Sequence, residues 1–101
     1  MSERLQVAFT PRASREVAEA KRWWRANRTK APDALEEELR NALDLLSGTP
    51  TIGAIARNVA LPNVRRLFLN RVNYFVYYRV GGSVVEVVAL WHARRGSGPR
   101  L

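Results

Sequence analysis

Arg65 and Arg66 open the run Arg65-Arg66-Leu67-Phe68-Leu69, and His92, Arg94 and Arg95 close the run Leu90-Trp91-His92-Ala93-Arg94-Arg95-Gly96. His92 is the only histidine of the chain, and imidazole is the side chain whose ordinary pKa lies near neutrality. Two chemistries are open to this set. In the first, His92 moves a proton while Arg66 and Arg94 hold an anionic substrate. In the second, Arg65, Arg66, His92, Arg94 and Arg95 form a cationic surface that holds an anionic or acidic partner and transforms nothing. Arginine stays charged and is a poor proton shuttle, so the catalytic reading depends on His92 alone. A lone histidine at a strand end is more often a cap or a surface group.

The rest of the composition narrows the chemistry. There is no cysteine, so neither a disulfide framework nor a thiolate metal site can form, and one histidine makes a metal site improbable; no metal and no cofactor are expected. The formal net charge of +8 is unevenly spread: residues 1–30 contribute +5, residues 31–63 contribute −3 and residues 64–101 contribute +6. Fifteen of the 17 basic residues are arginine, whose planar fork suits carboxylates and phosphates and stacks on aromatic rings. The partner is therefore acidic, either a nucleic acid or an acidic protein segment.

The elements that must position these residues can be read from periodicity. Leu5, Val7 and Phe9 alternate with Arg4, Gln6 and Ala8 as in a short strand, and Thr10-Pro11 supplies an N-cap and a first-turn proline. Ala13, Val17, Ala20 and Trp24 then share one face of a first helix. Trp24 is expected in the core, and Trp23, about 100° round the helix, either in the core or offered to a partner. Pro32 opens a second helix with the stripe Leu35, Leu39, Ala42, Leu43 and Leu46, acidic residues at its start and Gly48 and Pro50 at its end. Residues 48–63 show no period, and a connection of that length is expected to be functional or to hold a helical turn. Residues 64–69, 74–80 and 84–91 read as a three-stranded meander with Gly81-Gly82 at the second turn.

The expected fold is α+β, one domain over residues 1–101: an N-terminal strand and an antiparallel two-helix hairpin on one face of a mainly antiparallel four-stranded sheet. Uninterrupted alternation in the last strand puts Val85, Val87, Ala89 and Trp91 on one face and Val84, Glu86, Val88, Leu90 and His92 on the other. On that phase His92 faces away from the helices and shares the open face with Arg66, for which a pair with Glu86 is a second role. The segment before Gln6 is too short and polar for a secretory signal, and no apolar run reaches the roughly 20 residues of a membrane span. The cytoplasm is the expected compartment.

The ordered set Val7-Ala8-Phe9-Thr10-Pro11-Arg12-Ala13, Trp23-Trp24, Thr49-Pro50, Arg65-Arg66-Leu67, Tyr77-Tyr78-Arg79-Val80 and Trp91-His92-Ala93-Arg94-Arg95 resembles the RelE/ParE superfamily of type II toxin-antitoxin toxins. Its ending is closest to the ParE branch, the plasmid stabilisation toxins. The resemblance implies a toxin neutralised by a cognate, acidic, ParD-like antitoxin that folds on binding, with operator DNA bound only through the antitoxin. On the ParE branch it implies inhibition of DNA gyrase without catalysis; on the RelE branch, ribosome-dependent mRNA cleavage with Arg66, His92 and Arg94 as the catalytic set. RelE-like nucleases draw lysines or acids from the middle strands and often an aromatic near the C-terminus. Here both lysines, Lys21 and Lys30, lie in or just after the first helix, and no aromatic follows Trp91. The ParE reading is preferred. Arg65, Arg66, His92, Arg94 and Arg95 are then target-binding candidates, and Trp23, Ile52, Ile55, Val59 and Leu61 are antitoxin-binding candidates.

Overall fold

A computed structural model describes residues 4–101. The chain runs β1 (Gln6–Phe9), α1 (Pro11–Asn27), α2 (Ala34–Gly48), β2 (Ala54–Ile55), β3 (Arg65–Leu69), β4 (Tyr74–Gly81) and β5 (Val84–His92). Thr10 caps α1 by accepting the Ala13 N–H at 3.1 Å, with Pro11 at the first helical position where its missing N–H costs nothing. Ala13, Val17, Ala20 and Trp24 are the buried face of α1, as the period predicts. Leu35, Leu39, Ala42 and Leu46 are buried on α2. Asp33 flanks α2 without capping it by its side chain; its carboxylate meets Arg25 at 3.4 Å. Lys21 and Arg25 also reach Glu36, at 3.7 and 3.2 Å, so opposite charges do face each other across the hairpin. These groups are half-exposed, and each such pair stabilises by only about 0–1 kcal/mol.

The sheet has five strands in the order β1-β5-β4-β3-β2, one more than the periodicity revealed. The extra strand is β2, which pairs antiparallel with β3 through Ala54↔Arg66 and Ile55↔Arg65. Two residues are too few to show alternation, so no period marks them. What holds this segment in place is Tyr78, whose buried hydroxyl donates to the Pro50 carbonyl at 2.8 Å and accepts the Gly53 N–H at 2.9 Å. Gly53 is required there, because a Cβ would lie 2.6 Å from the Tyr78 oxygen. β1 pairs parallel with β5, from Gln6↔Val84 to Phe9↔Val87, and the other pairings are antiparallel. The turn between β4 and β5 is centred on Gly82-Ser83, one residue later than Gly81-Gly82, with Gly82 at φ +58°.

A bulge in β5 decides which face carries the histidine. Tyr77 pairs with Ala89 but Tyr78 pairs with Val87, so Val88 is an extra residue opposite the Tyr77/Tyr78 step. An extra residue reverses the alternation beyond it. Val85 and Val87 face the helices, and past the bulge Leu90 joins them in the same core, with Tyr74, Val76 and Tyr78 of β4. Val88 and Ala89 both face the other way. The uninterrupted phase, which put Leu90 and His92 on the open face, fails at this residue.

The face away from the helices is also covered. Ala56, Val64, Tyr77, Val88 and Ala89 make a second core, closed by Val59, Leu61, Phe75, Trp91 and the C-terminal Leu101. The C-terminal segment is tied down by Asn58 Nδ2 donating to the Ser97 carbonyl at 2.9 Å and by the Leu61 N–H donating to the Leu101 carbonyl at 3.1 Å.

Candidate functional site

The five cationic candidates are not gathered in one place. Arg65 is a structural tether: its guanidinium donates to the carbonyls of Gly53 at 2.8 Å and Thr51 at 3.3 Å, fixing the segment that leads into β2. Arg66 lies on the sheet face away from the helices, its guanidinium 4.4 Å from the Phe75 ring centroid. Phe68 stands beside them, 42% exposed and 4.9 Å from Phe75. Glu86 does not pair with Arg66; its carboxylate accepts from Arg79 Nε at 2.9 Å, directly across the β4–β5 register. Arg95 stacks 4.2 Å from the Trp91 ring.

His92 and Arg94 sit elsewhere. Beyond the bulge, His92 turns to the helix side, where its ring meets Tyr74 edge-on at 4.9 Å. Its Nδ1 accepts the Arg94 backbone N–H at 3.1 Å, which leaves the proton on Nε2. Burial, then the neighbouring charges of Arg94 and Arg28, push its pKa below the ordinary value, so His92 is neutral at pH 7. Tyr74 is shifted upward by burial, partly offset by Arg95. The sheet thus separates Arg66 from His92, and the set Arg66, His92 and Arg94 is not assembled on one surface.

His92, Tyr74 and Arg94 line a groove of about 540 Å³ with Trp23, Trp24, Arg28, Arg71 and Asn73, where the end of α1 meets the β3–β4 turn. Trp24 is buried, with Nε1 donating to the Ala31 carbonyl at 2.8 Å, while Trp23 is 44% exposed. The Arg28 guanidinium covers both indoles, 5.1 Å from one and 5.7 Å from the other. Arg28, Asn73 and Tyr74 escaped the reading of the sequence. The available signal was the spacing of Arg28, one helical turn beyond Trp23 and Trp24.

The antitoxin-binding candidates divide as well. Ile52 and Ile55 are exposed at the β2 edge, whereas Val59 and Leu61 are partly buried against the second core. A surface that periodicity could not show is a groove of about 660 Å³ between the helices, with Val17, Leu39 and Leu43 in its floor, the exposed Phe9 at its end and Lys21 and Arg40 at its rim. Among the described residues no cluster of histidine, cysteine or acidic side chains could hold a metal ion, and no helix is long and apolar enough to cross a membrane.

Over residues 7–96 the sequence matches the family described as ParE toxin of type II toxin-antitoxin system, parDE. The chain belongs to the ParE toxin family. A solved structure described as the chromosomal ParDE TA system from P. aeruginosa superposes with a TM-score of 0.72, covering 92% of this chain and 100% of that one at 20% identity. At that identity the likeness speaks for the fold, two helices on a mostly antiparallel sheet. None of the curated proteins matches the sequence significantly. The family assignment agrees with the ParE branch of the resemblance read from the ordered motifs.

Proposed function

We propose that this ParE-family chain is a toxin that acts by binding DNA gyrase, without catalysis, and that a ParD-like antitoxin neutralises it in the cytoplasm. The observation that carries the non-catalytic reading is that the sheet separates His92 from Arg66 and that the basic nitrogen of His92, Nδ1, is taken by the Arg94 backbone N–H, so His92 offers only a donor to the groove it shares with Arg28 and Arg94. RNA cleavage needs a proton shuttle and phosphate-holding cations within hydrogen-bond reach of one phosphate. On the face with Arg66 lie Phe68, Phe75 and Trp91, which move no protons, and Tyr77, which is buried with its hydroxyl accepting from Asn58 Nδ2 at 3.0 Å. Gyrase as the target is what the ParE branch implies, and the exposed cations Arg94 and Arg95, with the half-buried Arg66, are the groups that would meet it.

The helix groove suits the antitoxin. An amphipathic segment of a small acidic protein can lay apolar side chains on Val17, Leu39 and Leu43 while its acids meet Lys21 and Arg40, ordering as it binds. Trp23, Ile52 and Ile55 extend the apolar surface that such a partner covers. Operator DNA is then held by the antitoxin and not by this chain.

The test is a purified supercoiling assay run beside a ribosome-bound mRNA cleavage assay. The reading expects gyrase to be blocked and the message to stay intact. Cleaved message with unimpaired supercoiling contradicts it.

A further inference from the structure

The groove around His92 holds Arg28, His92, Asn73 and Tyr74, which neither gyrase binding nor antitoxin capture uses, beside Trp23 and Arg94, which those two roles also draw on. Its volume, about 540 Å³, falls within the range of small-molecule sites. Its polar groups are all able to donate: the guanidiniums of Arg28 and Arg94, Nε2–H of His92, the Asn73 amide and the Tyr74 hydroxyl. No carboxylate lines it. Arg71, at its edge, is held by Glu37 at 3.1 Å, but neither Arg28 nor Arg94 enters an ion pair among the described residues. Arg28 is kept in place by the two indoles instead. Two further acids, Glu16 and Glu19, lie in an adjoining depression that Trp23, Tyr74 and His92 also line. Glu16 is engaged there by Arg12 at 3.4 Å and by the Leu90 N–H at 3.1 Å.

Unpaired cations gathered beside a neutral imidazole raise one another's energy, and a bound anion relieves this. A carboxylate offers two oxygens, fewer than the donors converging here, whereas a phosphate monoester offers three and carries more charge. Trp23, 44% exposed with Arg28 over its ring, adds an indole against which a base can pack beside that guanidinium. We propose that this groove binds a nucleotide, with Arg28, Arg94 and His92 holding its phosphate and Trp23 receiving its base. A free mononucleotide and the 5′-phosphorylated end of a strand share that chemistry.

The experiment titrates the full chain, by calorimetry and tryptophan emission, with AMP, adenosine, inorganic phosphate, a short oligothymidylate bearing either a 5′-phosphate or a 5′-hydroxyl, and an acidic peptide. Saturable AMP binding is expected, with adenosine and inorganic phosphate each about tenfold weaker or more. Arg94→Gln and Arg28→Gln each weaken AMP about tenfold or more. Trp23→Ala weakens AMP but not inorganic phosphate. If Arg28→Gln lowers the melting temperature, Arg94→Gln, at an exposed residue past the end of β5, carries the comparison. A 5′-phosphorylated strand that binds more tightly than AMP identifies a strand end as the ligand; equal affinity identifies the mononucleotide. Four results overturn the proposal: no saturable AMP binding, AMP affinity unchanged in Arg94→Gln, the 5′-hydroxyl strand binding as tightly as the 5′-phosphorylated one, or the acidic peptide displacing AMP. None of these readouts depends on toxicity, so they stand whichever way the gyrase assay falls.

Discussion

Replacing Tyr78 with phenylalanine deletes one oxygen and tests how β2 is held. That oxygen donates to the Pro50 carbonyl at 2.8 Å and accepts the Gly53 N–H at 2.9 Å, in a side chain with 0% of its surface exposed. The vacated space is one atom in size, too small for a water to take over both bonds. The Gly53 donor is buried and loses its only partner, a cost of about 1–3 kcal/mol, and the Pro50 carbonyl, nearer to solvent, adds less. Taking about 2 kcal/mol, and about 4–8 °C per kcal/mol for a domain of this size, the melting temperature should fall by roughly 8–16 °C. Tyr77→Phe is the comparison, since its hydroxyl has a single part-buried bond, from Asn58 Nδ2 at 3.0 Å, and it should cost about 1 kcal/mol. Circular dichroism melts give the totals, and hydrogen exchange gives the location, with the β2 amides losing protection before those of β4 and β5. A Tyr78→Phe midpoint within about 2 °C of the parent, or exchange accelerated evenly across all strands, refutes the assignment of Tyr78 as the anchor of β2.

Other expectations follow from the same geometry. Glu16→Ala removes the acceptor for the Leu90 N–H where β5 runs past the end of β1; the Leu90 amide should exchange faster, with a loss of about 1.5–3 kcal/mol by denaturant titration. His92 has a folded pKa below its unfolded value, so the unfolded chain takes up the proton first as pH falls. Its contribution to stability is therefore intact above about pH 6.5 and declines below it, and thermal melts should show a smaller acid sensitivity in that window for His92→Gln than for the parent. Ala18→Glu places a carboxylate on the exposed wall of the helix groove; the fold and toxicity should persist while affinity for the acidic antitoxin drops about tenfold or more, measured by surface plasmon resonance.

Much of this molecule was legible in its sequence because the relevant periods run long enough to be phased. The stripe Ala13, Val17, Ala20 and Trp24 covers the whole of α1, and β3 to β5 lie within two residues of the runs that mark them. Legibility failed where a structural change left no chemical trace. Between Val87 and Trp91 every residue of β5 is apolar, because both faces of the sheet are covered, so nothing in the alternation marks the extra Val88. That one residue carries His92 from the face of Arg66 to the face of Trp23, and so dissolves the catalytic set. β2 was hidden because its position comes from a hydroxyl distant in sequence and not from its own residues. The partial burial of Val59 and Leu61 left no mark either, because the second core that they close is completed by Leu101, distant in sequence. The family itself could be read from the order of short motifs, none of which is specific alone.

The central claim is that the chain acts through a cationic surface and not through a proton transfer at His92. It is tested most directly by measuring gyrase inhibition for the parent, His92→Ala and the double reversal Arg94→Glu/Arg95→Glu, each confirmed as folded, at two salt concentrations. Binding through charge predicts that His92→Ala stays close to the parent. The double reversal should lose most of its inhibition, and added salt should weaken the parent as screening reduces the attraction. A folded His92→Ala protein with no activity, beside a fully active double reversal, contradicts the account, since losing a general acid or base costs about 10²–10⁴ in rate while a surface interaction does not depend on it.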